Sequence, residues 1–336
     1  MLSILAVLCG AESYDWIAEY GNIRIDFLRQ ILYLPNGIPS HDTINRVLSS
    51  IRPESFEKLF VQWANTLKEK GTFEDLIPID GKTIRGSKDG FHQTSPAHIV
   101  SAWSNANGIV LGQLKVDCKT NEITAIPELI DMLEIKGCIV SIDAMGTQKS
   151  IAKKIIDSKA DYILALKGNH AFMLEDAMAL INHTSPNTED QTIEKGHGRI
   201  ETRKCEVYSN LDLLDEKEQW AGLKSIIKVT AQREIKGKIT SETRYYIGSL
   251  LDHAATYNAN IRFHWGIENK LHWVLDMIFR EDEQRKRNKY AAQNFAIIRK
   301  IALNLLRKED SKNMSLKTKR LKAGWSNEFL LKILTI

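Results

Sequence analysis

The amino-acid sequence predicts an α/β fold with a mixed sheet, and two short apolar segments are the main reason for this prediction. The segment Ile77–Ile79 leads into Asp80, and the segment Ile139–Ile142 leads into Asp143. Short runs of apolar, mostly β-branched residues are typical of buried strands. Between residues 76 and 166 such strands alternate with helical patterns. This alternation predicts helices packed against a sheet.

Separate sequence patterns predict the individual strands and helices between residues 76 and 166. The pair Asn107-Gly108 separates two strand-like runs and predicts a tight hairpin. Apolar residues recur at helical spacing in Asn121–Glu134 and Gln148–Ser158, which predicts two helices. The predicted strands are Leu76–Asp80, His98–Trp103, Ile109–Val116, Cys138–Asp143 and Asp161–Leu166.

The patterns change at several points, and these changes predict the domain organisation. Residues 1–70 have helical periodicity, with Asn22 and Ser40 as candidate N-caps, and predict a small helical domain. Residues 71–310 then form the α/β domain, with an antiparallel β insertion at about 170–256. Residues 311–336 are expected to form a basic C-terminal segment. The predicted strands of the insertion are Ile200–Tyr208, Ser225–Arg233 and Ser241–Ile247.

Composition narrows the class of protein. Of the 336 residues, 43% are hydrophobic and 26% are charged, as in ordinary globular proteins. The four cysteines include no C-x-x-C pair, which argues against a zinc knuckle or a disulfide framework and fits a reducing cytoplasm. The apolar segment Leu2–Cys9 is too short to span a membrane. We therefore expect a cytoplasmic globular protein.

Charge is unevenly distributed along the chain. The formal net charge is +4, yet residues 280–322 contain 14 Lys or Arg and only 5 Asp or Glu. A basic region of this kind favours a polyanionic partner, although a solvated helix face would have the same composition. Within it, a helical pattern covers Tyr290–Leu306, for which we expect apolar residues inward and Arg299 and Arg307 outward.

Another helical pattern places an acidic residue within an apolar stripe. From Thr256 onward, Glu268 shares one helix face with apolar residues, and we expect the neighbouring Trp265 and Trp273 to lie in the core. Acidic side chains are almost never buried without a partner. His264 and His272 are four residues away on the same face; without a third nitrogen ligand, such a pair more often orients carboxylates than binds zinc.

Asp80, Asp143 and Glu268 are thus three acidic residues at positions where a charge is costly unless it is paired or binds a metal. Three carboxylates without soft ligands suit two Mg²⁺ ions. Two such ions activate the attacking oxygen and stabilise the leaving oxygen of a phosphodiester. For each acid alone, a helix cap, a turn or an ion pair is an alternative explanation.

Several motifs resemble the H-repeat-associated group of bacterial insertion-sequence transposases of the D-D-E class. They occur in order over nearly the whole chain. They are Gly37–Thr43, Ile79–Ser87, Asp143–Gln148, Ala165–Asn169 and His264–Asp276 followed by Glu281-Asp282. The resemblance implies a ribonuclease H-like fold in which Asp80, Asp143 and Glu268 bind two Mg²⁺ ions, with Mn²⁺ able to substitute. It further implies cleavage and strand transfer on double-stranded DNA by a homodimer, associated with the nucleoid and not with a membrane.

Other polar residues of these motifs and of the insertion are candidate DNA contacts. Lys82 and Arg85 follow the first aspartate, and a surface turn is the alternative. Lys167 and Asn169 follow a predicted strand on the same sheet edge. Arginines near the start of the insertion suit a DNA backbone or, equally, a mobile polar loop. The candidate DNA-binding residues are Lys82, Arg85, Lys167, Asn169, Arg199, Arg203, Arg262 and His264.

The chain also departs from related transposases at three positions. Those relatives have Tyr, Arg and Lys where this chain has Ile261, His264 and Leu275. The chain also starts inside what resembles the first helix of the family, which favours truncation. These departures favour an alternative, a decayed or domesticated transposase that binds DNA without catalysis. A nuclease without strand transfer and a structural interaction protein are further alternatives.

Overall fold

The computed structural model describes residues 1–69, 74–116, 122–196, 198–251, 253–311 and 313–335. The chain forms two compact units. Unit 1 comprises Met1–Gly71, Gly81–Asn121 and Glu268–Ile336, and unit 2 comprises Thr72–Asp80 and Glu122–Ile267. These boundaries differ from the predicted domain limits, because unit 1 is assembled from three stretches that are distant in the sequence.

Helices and strands alternate broadly as the sequence indicates. The strands are β1 (Leu76–Thr83), β2 (His98–Ser104), β3 (Ile109–Val116), β4 (Ile139–Ile142), β5 (Asp161–Leu166), β6 (Thr188–Gly196), β7 (Arg199–Tyr208), β8 (Ser225–Ile235) and β9 (Lys238–Gly248). The helices are α1 (Leu2–Leu8), α2 (Tyr14–Ile23), α3 (Ile25–Ile31), α4 (His41–Ser50), α5 (Pro53–Thr66), α6 (Glu122–Met132), α7 (Lys149–Asp157), α8 (Ala171–His183), α9 (Ala254–His264), α10 (Trp273–Met277), α11 (Ala291–Lys308), α12 (Leu316–Trp325) and α13 (Asn327–Leu334).

Unit 2 is built on a mixed sheet with the strand order β1-β4-β5-β9-β8-β7-β6. Strands β1, β4 and β5 are parallel, and the remaining strands pair in antiparallel fashion. Helix α9 packs on β6 and β7. The core on this face includes Val207, Val229, Tyr257 and Ile261. The predicted α/β class, with a mixed sheet, flanking helices and an antiparallel insertion, is confirmed.

Unit 1 contains strands β3 and β2 and the last residues of β1, in the order β3-β2-β1. It also contains most of the described helices. Helix α11 is buried along nearly its whole length. The prediction that Arg299 points outward is wrong: its side chain is only 2% exposed and pairs with Glu281 at 3.4 Å. Arg307 is also largely covered, lying over the ring of Trp103. Arg299 can be buried because Glu281 replaces water as its partner, and the half-buried Arg307 is partly covered by the indole of Trp103.

Two further details differ from the sequence-based expectation. Asn22 is not an N-cap, because it lies inside α2 and the next helix, α3, has Arg24 at its N-cap position. Ser13 caps α2, since its hydroxyl accepts from the Trp16 amide at 3.1 Å. Ser40 caps α4 as predicted. Strand β6 was not predicted, because its polar sequence lacks the apolar alternation that marks a strand. The predicted start of the first helix of the α/β layer at Asn121 lies outside the described residues, and α6 is described from Glu122.

The basic C-terminal segment is part of the packed structure of unit 1. Lys319 is buried and pairs with Glu309 at 3.1 Å. Arg320 is also buried, donates to the carbonyl of Val7 at 3.0 Å and pairs with Glu12 at 3.1 Å. Arg320 therefore ties the C-terminal segment to the start of the chain, whereas Lys319 ties it to the end of α11. None of the described helices is both long and apolar enough to cross a membrane.

Candidate metal and DNA-binding site

Two of the three predicted metal ligands belong to neighbouring parallel strands of unit 2 or directly follow them. Strands β1 and β4 are parallel, with Ile79 opposite Ile142. The next residues along the chain are Asp80 and Asp143, respectively, and both side chains are partly exposed. Asp80 lies within β1, which continues to Thr83, whereas Asp143 directly follows β4. The parallel register therefore places the two residues at the same level of the sheet.

The loop after β4 fixes the orientation of Asp143. Its Oδ1 accepts hydrogen bonds from the backbone amides of Met145, at 3.0 Å, and Gly146, at 3.2 Å. The buried hydroxyl of Thr147 lies 3.1 Å from the carbonyl oxygen of Asp143 and 2.6 Å from that of Ala165 on β5. This aspartate is therefore held by its own turn, which keeps one carboxylate oxygen engaged and its side chain in one orientation.

Asn169, which follows β5, is hydrogen-bonded to the turn that holds Asp143. Its side-chain amide donates to the carbonyl of Ala144 at 2.7 Å, although the residue as a whole is exposed. Lys167 precedes it and is also exposed. The structure thus gives Asn169 a positioning contact beside Asp143 and leaves Lys167 at the surface.

Gly146 is required by the close packing of this turn, which leads to a testable prediction. A Cβ at this position would lie 2.7 Å from Ile126 Cδ1 and would also clash with Ile142. We expect Gly146→Ala to lower the free energy of unfolding by about 1–3 kcal/mol, the usual cost of overpacking. Urea denaturation measures this change. Gly168→Ala is the matched control, because a Cβ there meets nothing within 4 Å; equal losses in the two variants would contradict the packing argument.

Glu268, in unit 1, begins a short π-helical turn that covers Glu268–His272. Its carboxylate is 52% exposed, whereas the side chain of His272 is only 6% exposed. His272 Nδ1 lies 3.3 Å from Glu268 Oε2. The two side chains form a carboxylate–imidazole pair of a kind that can bind a metal ion. π-Helical turns often occur at functional sites.

This turn also corrects the expectation of one continuous helix. Helix α9 ends at His264, and α10 begins only at Trp273. The change of helical period rotates the face, so the expected stripe does not persist. Trp265 and Trp273 are 42% and 56% exposed, and their predicted place in the core is wrong. Trp265 instead lies beside the guanidinium of Arg244, 4.7 Å from ring centroid to Cζ.

Lys82, expected to contact phosphate, lies in a cluster of carboxylates within unit 1. Its Nζ lies 2.8 Å from Asp276, 3.3 Å from Glu281 and 3.0 Å from Asp282, and its side chain is 10% exposed. Asp282 also accepts from the backbone amide of Arg85 at 3.2 Å. The Arg85 side chain is 85% exposed. Arg85 is therefore accessible to DNA, whereas Lys82 is engaged by three acids.

Burial and neighbouring opposite charges shift the pKa values of the side chains in this cluster in opposite directions. Burial alone would raise the pKa of Glu281, but Arg299, Lys300 and Lys82 more than offset it, and the pKa is lowered. Burial raises the pKa of Asp276, and its hydrogen bond from Lys82 reverses only part of that increase. Burial by itself lowers the pKa of Lys82, yet the surrounding carboxylates raise it overall. The lysine is thus kept charged by the acids that enclose it. Sequence reasoning did not assign this role, although all three acids follow Glu268 in the quoted motif.

Arg199 and Arg203 lie on β7 of the insertion, and Arg262 lies on α9, which packs on this strand. Arg262 pairs with Glu194 and, at 3.7 Å, with Glu201. Arg203 is half-buried, and its Nε and Nη1 have no hydrogen-bond partner among the described residues. Burial and the nearby Arg262 lower the pKa of Arg203. The side chain of Arg199 is 44% exposed.

The positions that depart from related transposases have structural roles here. Ile261 and Leu275 are 2% and 1% exposed and fill the cores of their respective units. His264 shares a hydrogen bond with the Ser141 hydroxyl, with 2.9 Å between Nδ1 and Oγ. Ser141 lies on β4, two residues before Asp143. His264 thus ties the end of α9 to the strand that carries the second aspartate.

Comparison with known proteins agrees with this architecture. Residues 71–305 match the family described as "Transposase DDE domain", and residues 1–64 match the family described as "DDE_Tnp_1-associated". Since the first match covers well over half of the chain, the protein belongs to the DDE-domain transposase family.

The curated relatives include transposases of the H-repeat-associated group. "H repeat-associated putative transposase YhhI" of Escherichia coli K12 is 40% identical over 347 residues, covering 99% of this chain and 90% of that protein. "Putative transposase YncI" of E. coli O157:H7 is 41% identical over 343 residues, covering 99% of this chain and 87% of that protein. Among solved structures, a piggyBac transposase synaptic complex with hairpin DNA has a TM-score of 0.47 and 13% identity, covering 100% of this chain and 72% of that one. The predicted membership of the H-repeat-associated group is therefore confirmed.

Proposed function

We propose that this protein cuts DNA at insertion-sequence ends and joins the freed ends to target DNA, in a reaction that depends on divalent metal ions. The observation that carries the proposal is the register of β1 and β4, which brings Asp80 and Asp143 to the same level of the sheet. The chain belongs to the DDE-domain transposase family, and this membership supports metal binding as the role of these two acids. We propose Asp80, Asp143 and Glu268 as the metal ligands.

The donor set fits hard divalent cations. Asp80 and Asp143 offer carboxylate oxygens just after the paired residues Ile79 and Ile142, and the turn around Asp143 keeps its side chain in place. Carboxylate oxygens suit Mg²⁺, and Mn²⁺ can substitute. Glu268 follows α9 by four residues, and the last residue of that helix is hydrogen-bonded to β4.

The side chains of this site have distinct proposed tasks. When bound, the metal ions lower the pKa of an attacking water and stabilise charge on the leaving oxygen of the phosphodiester. Asp80, Asp143 and Glu268 would hold the ions, and the turn around Asp143 would keep its carboxylate oriented towards them. The same site would then align the freed 3′ hydroxyl with target DNA, so that no covalent protein–DNA intermediate forms. Asn169 would act indirectly by holding the turn that carries Asp143.

The proposed partner is double-stranded DNA, held through its phosphates by basic residues around the site. Arg85, Lys167 and Arg199 are exposed and available for such contacts. Arg203 on β7 and Arg262 on α9 lie close together in unit 2, and His264 adds a further polar group at the end of α9. Lys82 is proposed to act through its ion pairs, which position the Arg85 backbone. We further propose that the protein works as a dimer on nucleoid DNA in the cytoplasm.

The salt dependence of binding tests the phosphate contacts. Arg199→Gln is expected to reduce the slope of log K against log salt concentration by about 0.9, because one fewer counterion is released. Fluorescence anisotropy with a labelled duplex measures this slope. Lys153→Gln is the matched control, since Lys153 pairs with Asp157 on the surface of α7. An unchanged slope in the Arg199 variant would show that Arg199 does not contact DNA phosphates.

A second candidate function is DNA binding without catalysis. The burial of Ile261 and Leu275 favours it, because these positions fill the core where related transposases have polar side chains. A nicking assay with Mg²⁺ on element-end duplexes separates the two functions. Metal-dependent nicks and joined products support the transposase. Tight DNA binding without nicks in Mg²⁺ or Mn²⁺ supports a protein that binds DNA without catalysis. Nicks without joined products indicate a nuclease that does not transfer strands.

A further inference from the structure

The pairing of His272 with Glu268 gives the proposed site a feature that three carboxylates alone do not explain. The imidazole is almost completely buried, whereas the glutamate it contacts is half exposed. A buried side chain has few alternative rotamers, so Nδ1 stays close to the carboxylate. The exposed glutamate can move, but the histidine cannot easily withdraw from it.

The separation of the two atoms suits ligands of one ion. Neighbouring ligands of an octahedral ion at about 2.1 Å are about 3 Å apart. The observed separation of Nδ1 and Oε2 is 3.3 Å. A nitrogen and an oxygen at this distance can bind the same cation after small side-chain adjustments. The two residues are four apart in a helical segment, and side chains at this spacing lie on the same side of the backbone.

We propose that His272 Nδ1 is a further ligand of the cation bound by Glu268. This inference rests on the proposed function, because it assumes that Glu268 binds metal. Imidazole nitrogen is favoured by transition metals, whereas Mg²⁺ prefers oxygen. The histidine therefore shifts the preference of this site towards Mn²⁺ and away from Mg²⁺. A site of oxygen ligands alone would lack this shift.

Electron spin-echo spectroscopy of the full-length protein loaded with Mn²⁺ tests the proposal. The wild type is expected to show nitrogen-14 coupling from a bound imidazole. His272→Asn places an amide group close to the position of Nδ1, and it is expected to remove the coupling while the protein still binds Mn²⁺. The variant is expected to bind Mn²⁺ about tenfold or more weakly in titrations, with Mg²⁺ affinity changed by less than about threefold.

His264→Asn is the matched control, because His264 contacts the Ser141 hydroxyl. It is expected to keep the coupling. Bound Mn²⁺ without nitrogen coupling in the wild type, or coupling that survives in His272→Asn, would overturn the assignment of His272 and leave the proposed function intact. If the wild type bound neither Mn²⁺ nor Mg²⁺ and made no nicks in DNA, the proposed function would fail together with this inference. A melting temperature of His272→Asn close to that of the wild type shows that any lost coupling is not due to unfolding.

Discussion

Replacing Asp143 with asparagine is expected to reduce DNA cleavage by about three orders of magnitude or more while leaving DNA binding intact. A bound metal contributes several kcal/mol of transition-state stabilisation, and each 1.36 kcal/mol corresponds to a tenfold change in rate. Asparagine keeps an oxygen that can accept from the amides of Met145 and Gly146. The turn is therefore preserved, and the change removes mainly the negative charge.

The measurement is single-turnover nicking of an element-end duplex in Mg²⁺, alongside binding of the same duplex. Asp131→Asn is the matched control, because Asp131 is an exposed acid in the same unit that pairs with Lys154 on α7. The control should cleave at the wild-type rate. Cleavage by Asp143→Asn within tenfold of the wild type would exclude this residue as a metal ligand.

Replacing Lys82 with methionine is expected to destabilise the protein by about 3–5 kcal/mol, the usual result of removing one partner from a buried ion pair. Methionine fills much of the space but leaves Asp276, Glu281 and Asp282 without their shared cation. Glu281 keeps Arg299, which limits the loss. A decrease in melting temperature of roughly 10 °C would follow for a unit of this size.

The loss of stability in Lys82→Met is expected to be smaller at lower pH. The pKa of Glu281 is lowered in the folded protein, so its contribution to stability is present at neutral pH and disappears as pH falls through that pKa. Without Lys82, the pKa of Asp276, already raised by burial, should rise further. Protonation then relieves the repulsion, and the deficit of the variant should shrink as pH decreases from 7 towards 5.

Denaturation at several pH values measures this trend. Arg85→Met is the control, because its side chain is 85% exposed and its ion pair with Asp282 is worth less than about 1 kcal/mol. A loss for Lys82→Met no larger than that of the control would show that the carboxylates do not depend on the lysine.

The sequence predicted the strands that carry Asp80 and Asp143, because buried parallel strands have a strong apolar signal ending at a charge. Ser40 and the β2–β3 hairpin were predicted for similarly local reasons. The ion pairs of Arg299 and Lys82 could not be predicted, since their acidic partners come from distant parts of the sequence. A helical pattern also cannot show the π-helical turn at Glu268, because the period changes within the apolar stripe.

The contacts of Arg320 with Val7 and Glu12 have a consequence for how a gene of this kind would lose its function. A nonsense codon shortly after position 310 would leave all three acidic residues encoded. The shortened product would nevertheless lack Arg320, so the start of the chain would lose its contacts with this buried cation. Late stop codons should therefore inactivate such an element as effectively as mutations at the acids themselves.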